Sequence, residues 1–216
     1  MLRALLFDLD GTMVDSDPVH YQTWREVLAQ QGVTLDTETY RTRFSGKLNP
    51  QLVEEWLPTL PVEKRKGFIE YKEARFRELA ATLTALPGLY ALLDWAKTRA
   101  LKTAVVTNAP RSNLEFMLAS LDLEGRFDVQ VLGEELPVGK PDPLPYRLAL
   151  EQLGVQPAEA VAFEDSRSGV LSAVAAQIPT VGITSSQDPA TLKGWGTELA
   201  VPDFQDEQLL AWLARR

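Results

Sequence analysis

The sequence predicts an α/β fold, a parallel sheet with helices on both faces, interrupted by an inserted helical domain. Three observations predict it. Apolar runs without polar alternation, among them Ala4-Leu5-Leu6-Phe7 and Ala160 to Phe163, read as strands buried on both faces. After Pro87-Gly88 such runs alternate with segments of helical period, the pattern of right-handed βαβ units. Between the first run and Pro87 the chain is strand-poor and rich in Glu, Lys, Arg and Leu, which are good helix formers.

Ala4 to Phe7 is the first strand. The insert, residues 15–86, opens with Val19 to Gln31, whose Val19, Trp24, Val27 and Leu28 have helical period and which Gly32 stops. Helices follow at Thr37 to Phe44, Pro50 to Leu57 and Val62 to Leu83, with turns at Ser45-Gly46 and Pro58 to Pro61. Residues 1–14 and 87–216 make the α/β domain. Its expected elements are helix Leu89 to Thr98, strand Thr103 to Val106, helix Ser112 to Leu121, strand Asp128 to Leu132, helix Leu144 to Leu153, strand Ala160 to Phe163, helix Ser166 to Ala176 and strand Thr180 to Ile183. The arrangement is Rossmann-like, and in such sheets ligands bind beyond the carboxyl ends of the strands.

Composition narrows the function. With 216 residues, 45% hydrophobic and 24% charged, the chain can bury a sizeable core. A net charge of −8 argues against a broad basic face for nucleic acid or anionic lipid, and a small ligand fits better. Cysteine is absent, which removes disulfides, thiol nucleophiles and Cys-ligated metals. No apolar run is long enough to span a bilayer and the N-terminus runs straight into a strand, so a cytoplasmic monomer is expected.

The notable polar groups fall at the strand ends. Phe7 is followed by Asp8-Leu9-Asp10-Gly11-Thr12, and on an extended chain residues two apart point the same way, so Asp8 and Asp10 present their acids together. Two like charges that close call for a divalent metal, a bound proton, or both. Val106 is followed by Thr107-Asn108, Lys140-Pro141 comes after the next strand, and Phe163 is followed by Glu164-Asp165-Ser166. Singly these are ordinary turn and helix-start residues. Jointly they bring an acidic pair, a hydroxyl and amide, a lysine and a second acidic pair to one pocket. Gly133 to Lys140 is not a P-loop, because its glycine spacing is too long and Pro141 stands where Ser or Thr is required.

With Asp8-Leu9-Asp10-Gly11-Thr12, Thr107-Asn108, Lys140-Pro141 and Glu164-Asp165 in this order, the chain resembles the haloacid dehalogenase-like superfamily of aspartate-nucleophile phosphotransferases over nearly its whole length. Its insert is similar to the cap of the β-phosphoglucomutase-like and phosphoglycolate-phosphatase-like branches. The dehalogenases themselves carry a different residue at the place of Asp10 and do not need the metal. The resemblance implies a Mg²⁺-dependent phosphatase for a small phosphorylated metabolite, with a sugar phosphate among the candidates. Asp8 attacks phosphorus to give an aspartyl-phosphate, while Asp10 protonates the leaving oxygen and then deprotonates the incoming water. By the same resemblance Mg²⁺ is held by the Asp8 carboxylate, the Asp10 backbone carbonyl and Asp165, with Glu164 acting through water. Thr107, the Asn108 backbone and Lys140 hold the phosphoryl oxygens. Mg²⁺ and Lys140 supply about three positive charges against roughly four negative if Asp8 and Asp165 are ionised, which favours Asp10 as the protonated acid.

The four motifs see only the phosphoryl group, so specificity belongs to the cap, with Asp15-Ser16 and the region near Pro87 as hinges. The sole histidine, His20, is either a partly buried helix residue or a neighbour of the Asp10 proton, as in the mutase branch. In Gly46-Lys47-Leu48-Asn49 no arginine stands where that branch carries one for a second phosphate, although Lys47, Arg41 or Arg43 could partly substitute. Hydrolysis is therefore favoured over a phosphosugar mutase. A phosphoaspartate receiver module is the alternative of another class, but its acidic pair lies on the first strand with the acceptor Asp on a later one, and it has no helical insert.

Overall fold

The computed structural model describes residues 1–216. Strands β1 (Ala4–Phe7), β2 (Lys102–Thr107), β3 (Val129–Leu132), β4 (Ala160–Glu164), β5 (Thr180–Ile183) and β6 (Leu199–Val201) form one parallel sheet in the order β3-β2-β1-β4-β5-β6. The chain winds outward from β1 in one direction, then returns and winds outward from β4 in the other, so the order reverses between these two strands. Phe7 is level with Val105 on one side and Phe163 on the other, and Asp8 and Glu164 leave the sheet side by side. A crevice beyond the strand ends at such a reversal is where this architecture places a ligand.

Alternation along the strands sorts the core into two layers. Leu5 and Phe7 join a cluster with α5 (Leu89–Thr98), α6 (Arg111–Ser120) and α10 (Glu207–Leu213), whereas Ala4 and Leu6 face α7 (Leu144–Leu153) and α8 (Arg167–Ala175). Phe7 stacks on Phe163 at 4.9 Å and meets the edges of Phe127 and Phe204 at 6.0 and 5.9 Å. Fully burying such a ring contributes about 1.5–3 kcal/mol, which fixes the strand whose end carries Asp8.

The insert consists of α1 (Asp17–Ala29), α2 (Thr37–Arg43), α3 (Asn49–Trp56) and α4 (Val62–Ala80). It has its own cluster, built on Trp24, Tyr40, Phe44, Leu52 and Val53, and α4 also lends Phe76 and Ala80 to the core of the α/β body. α1 starts two residues before its expected position, because Pro18 in the first turn fixes a helical φ and lacks the N–H that a helix start leaves unused. α4 ends three residues short of Leu83. There the backbone turns to pair with the first motif, Val14 bridging Ala85 and Leu86 N–H donating to the Met13 carbonyl at 2.8 Å.

Beyond Ile183, where the pattern yields no expectation, the chain adds α9 (Pro189–Trp195), β6 and α10. The Asp188 carboxylate caps α9 through Ala190 and Thr191, and Asp206 caps α10 through Gln208 and Leu209. No helix is long and apolar enough to cross a membrane.

Candidate active site

Lys140 comes out of the loop after β3 and is buried between two acids, its Nζ donating to Asp8 Oδ1 at 2.7 Å and to Glu164 Oε1 at 2.6 Å. Tyr146 of α7 donates to the same Glu164 oxygen at 2.6 Å. Asn108 fixes the lysine loop by accepting from the Lys140 N–H and donating to its carbonyl, both at 3.1 Å. Its amide also donates to the Gly46 carbonyl at 2.9 Å, so the residue expected to serve the phosphate through its backbone spends its side chain joining the body to the insert. Thr107 is buried beside it, its Oγ1 accepting from Ala109 N–H at 2.9 Å. Asp165 takes hydrogen bonds from Thr12 at 3.3 Å and Ser186 at 2.7 Å. Gly11 has φ +75°, which favours glycine, and a Cβ there would run into the Asp165 carboxylate. Gly169, opening α8 beneath Glu164, is required for the same steric reason.

Asp10 engages a different set of groups. Its Oδ1 accepts from Ser16 Oγ at 2.6 Å and lies 3.1 Å from His20 Nε2. Lys72 of α4 is 3.1 Å from His20 Nδ1, and because an ammonium only donates, Nδ1 is the acceptor and the imidazole proton sits on Nε2, facing Asp10. Lys72 also donates to Glu73 Oε1 at 2.8 Å, and Glu73 is completed by Asn49 at 2.7 Å and by Asn113 of α6 at 2.5 Å. The His20 ring lies flat on Phe76, centroids 3.8 Å apart. His20 is thus a neighbour of the Asp10 carboxylate, while Lys72, Glu73 and Asn113 are site residues the sequence did not flag. A buried charged pair in the middle of an exposed-looking helix has no sequence signal except the rarity of Lys-Glu on an apolar stripe.

These surroundings set opposite proton affinities. Asp8 is pushed up to about 8, first by burial and then by Glu164, against the pull of Lys140. Asp165 is pushed well up by burial and by the Asp17 and Asp8 carboxylates. Lys140, which burial alone would depress, is held above its ordinary value by Asp8 and Glu164. Burial also works on Asp10, but His20, Ser16 and Lys72 outweigh it and hold this carboxyl below its ordinary value. In the free protein these neighbours favour the Asp10 carboxylate; the expectation of a protonated Asp10 concerns the site with phosphate and Mg²⁺ bound.

Asp8, Glu164 and Asp165 each offer an oxygen within 4.8 Å of the others, and Glu164 Oε2 is buried without a hydrogen-bond partner. Lys140 supplies the ammonium for Asp8 and Glu164, whereas Asp165 has only hydroxyl donors. The oxygen donors of the three acids suit a hard divalent ion such as Mg²⁺. The Asp10 side chain lies outside this group, leaving its backbone as the part expected to serve a metal. The candidates for a second phosphate are engaged elsewhere: Arg41 pairs with Glu38 at 2.8 Å, while Arg43 and Lys47 both pair with Glu55.

A family model described as haloacid dehalogenase-like hydrolase matches residues 2–177. Among curated relatives, a phosphorylated carbohydrates phosphatase of Thermotoga maritima is 33% identical, with 94% of this chain and 95% of the relative covered. The protein CbbY of Rhodobacter capsulatus is 36% identical over 83% of this chain and 84% of its own length. Among solved structures, CbbY from Rhodobacter sphaeroides in complex with phosphate superposes with a TM-score of 0.84 at 27% identity, covering 95% of this chain and 96% of that one. By sequence match, fold and strand-end chemistry together, the chain belongs to the haloacid dehalogenase-like hydrolase family.

Proposed function

We propose that this protein is a Mg²⁺-dependent phosphatase that hydrolyses a small phosphorylated metabolite through an aspartyl-phosphate on Asp8, with residues 15–86 acting as the cap. The observation that carries the proposal is the division of labour between two acids two residues apart. Asp8 sits with Lys140, Glu164 and Asp165, where a phosphoryl group would be neutralised. Asp10 is turned toward Ser16 and His20, where a proton can be held and passed.

Asp8, Asp165 and Glu164 would hold the metal, which when bound offsets the charge of the phosphate dianion and of the attacking carboxylate. Lys140 and Thr107 line the same cavity and support the remaining phosphoryl oxygens. In the first half-reaction an Asp8 oxygen forms a bond to phosphorus as the ester P–O bond breaks, and the Asp10 carboxyl gives its proton to the departing alkoxide. An arriving dianion raises the proton affinity of Asp10, which supplies that proton. In the second, Asp10 takes a proton from water, whose oxygen attacks phosphorus, and Asp8 is released with inorganic phosphate. Hydrolysis is preferred to isomerisation because the loop Gly46-Lys47-Leu48-Asn49 carries no arginine and both Arg43 and Lys47 are turned to Glu55. The test is phosphate release from a panel of phosphorylated metabolites with Mg²⁺. Release should vanish with chelator and in Asp8→Asn, whereas a product isomer formed only with a bisphosphate primer would replace hydrolysis by mutase chemistry.

A further inference from the structure

Glu164 is the last residue of β4, and alternation along the strand puts its side chain on the same face as Ala160 and Ala162, the face covered by α7 and α8. The sheet is lined there by small side chains, with Ala4 and Ala104 in the same cluster, which leaves depth for a ring. Tyr146 of α7 occupies that depth and is wholly buried. A phenol packed in an apolar layer needs an acceptor for its proton. The acceptor is Glu164 Oε1, 2.6 Å away. Lys140 and Tyr146 stand six residues apart, so one loop and the helix it enters bring two donors to a single carboxylate oxygen, and the Lys140 ammonium lies 5.3 Å from the centre of the Tyr146 ring.

The two donors differ in what else they serve. Lys140 also donates to Asp8 at 2.7 Å and lines the cavity in which a phosphoryl group would sit, so an arriving dianion draws its ammonium away from Glu164. The Tyr146 hydroxyl has no other partner and no route to solvent. It is the donor that stays. A hydrogen bond to an ionised carboxylate is of the stronger kind, and turning the Glu164 carboxylate would give it up. The carboxylate also lies against Gly169, where a Cβ would collide with it, so the group is held from both sides. Oε2, buried and without a hydrogen-bond partner, is then the oxygen left for a cation.

Resting on the reading of Glu164 as a metal-holding residue, we infer that Tyr146 is a positioning residue for the metal centre, its hydroxyl fixing Glu164 through Oε1 so that Oε2 stays available to the ion while Lys140 serves the phosphoryl group. The test is Mg²⁺ binding to the substrate-free protein by titration calorimetry, which reads no turnover. Tyr146→Phe keeps the ring, and Glu164 Oε1 keeps Lys140, so the variant should fold. Its Kd for Mg²⁺ should rise about 10-fold or more, as when a metal ligand loses its supporting partner. Tyr90→Phe removes a phenol that donates to the Leu121 carbonyl at 2.8 Å, away from the site, and should leave the Kd unchanged. With substrate, the kcat deficit of Tyr146→Phe should shrink as Mg²⁺ is raised, which a loss of packing would not produce. A merely structural role lowers the unfolding temperature of metal-free Tyr146→Phe and leaves its Kd where it was, and that result overturns the assignment, as does an equal rise in Tyr90→Phe. Glu164→Gln separates the two failures. If it weakens Mg²⁺ binding and Tyr146→Phe does not, the inference alone falls; if the unmodified protein takes up no Mg²⁺, or Glu164→Gln binds it as tightly, the reading of Glu164 falls and takes the inference with it.

Discussion

Asp8 and Asp10 sit on one short stretch of backbone, and each has a buried lysine close at hand, yet their surroundings work in opposite directions. At the strand ends Lys140 is placed between Asp8 and Glu164, so two acids compete for one ammonium with a third, Asp165, nearby. In the insert Lys72 has Glu73 as its own counter-ion, Glu73 is further satisfied by Asn49 and Asn113, and a histidine stands between the lysine and Asp10. In the first region two acids depend on one ammonium, whereas in the second Lys72 is matched to Glu73 and Asp10 is left to Ser16 and His20.

The contrast can be broken most sharply at the two acids themselves. Asp8→Asn should cost at least about 10³-fold in turnover for every ester, because no phosphoenzyme forms. Asp10→Asn should cost about 10²- to 10⁴-fold with an alkyl phosphate. With p-nitrophenyl phosphate, whose leaving group needs no proton, it should keep a burst of p-nitrophenolate in stopped flow. Equal burst loss in both variants would merge the two roles. Stability gives the next largest difference. In metal-free buffer Lys140→Met should lose about 3–5 kcal/mol by urea unfolding, since it leaves Asp8 without its side-chain partner and Glu164 with only Tyr146. Lys72→Met should lose about 1–3 kcal/mol, because Glu73 retains the donors Asn49 and Asn113.

A pH series sharpens the insert's side of the comparison. Burial would raise Glu73, but Lys72, His20 and Asn113 outweigh it and keep its folded value below the ordinary 4.5. The unfolded chain then takes the proton first on acidification, so the stability from Glu73 is complete above about 4.5 and disappears as pH falls through the lower folded value. Glu73→Gln should therefore be less stable than the unmodified protein at pH 7, with the gap narrowing below pH 4.5. Smallest of all should be Asp94→Ala, which breaks the exposed pair with Arg126, 2.6 Å long, and should shift stability by less than about 1 kcal/mol because water screens it.

The strand-end residues were legible because their chemistry is local: an acid follows an apolar run, or a lysine precedes a proline, and the fold then gathers them. β5, α5 and α7 fall where the pattern puts them, since each is bounded by glycine, proline or a clear end of apolar period. α9 and α10 carry a signal of equal kind in Asp188-Pro189 and Asp206, but it is short and unaccompanied by long apolar runs. The Lys72–Glu73–Asn113 group was not legible. Its members come from α4 and α6, 40 residues apart along the chain at the Glu73–Asn113 bond, and each looks like a solvated polar residue until the helices are packed.

By itself the sequence determined the parallel sheet, the helical interruption and the residues that meet at the strand ends, because buried strands and turn chemistry are written in near neighbours. Only the tertiary structure decided how those residues are charged. Proton affinity depends on burial and on every charge within a few ångströms, and the groups that hold Asp10 down and commit the insert's lysines arrive there from helices far along the chain.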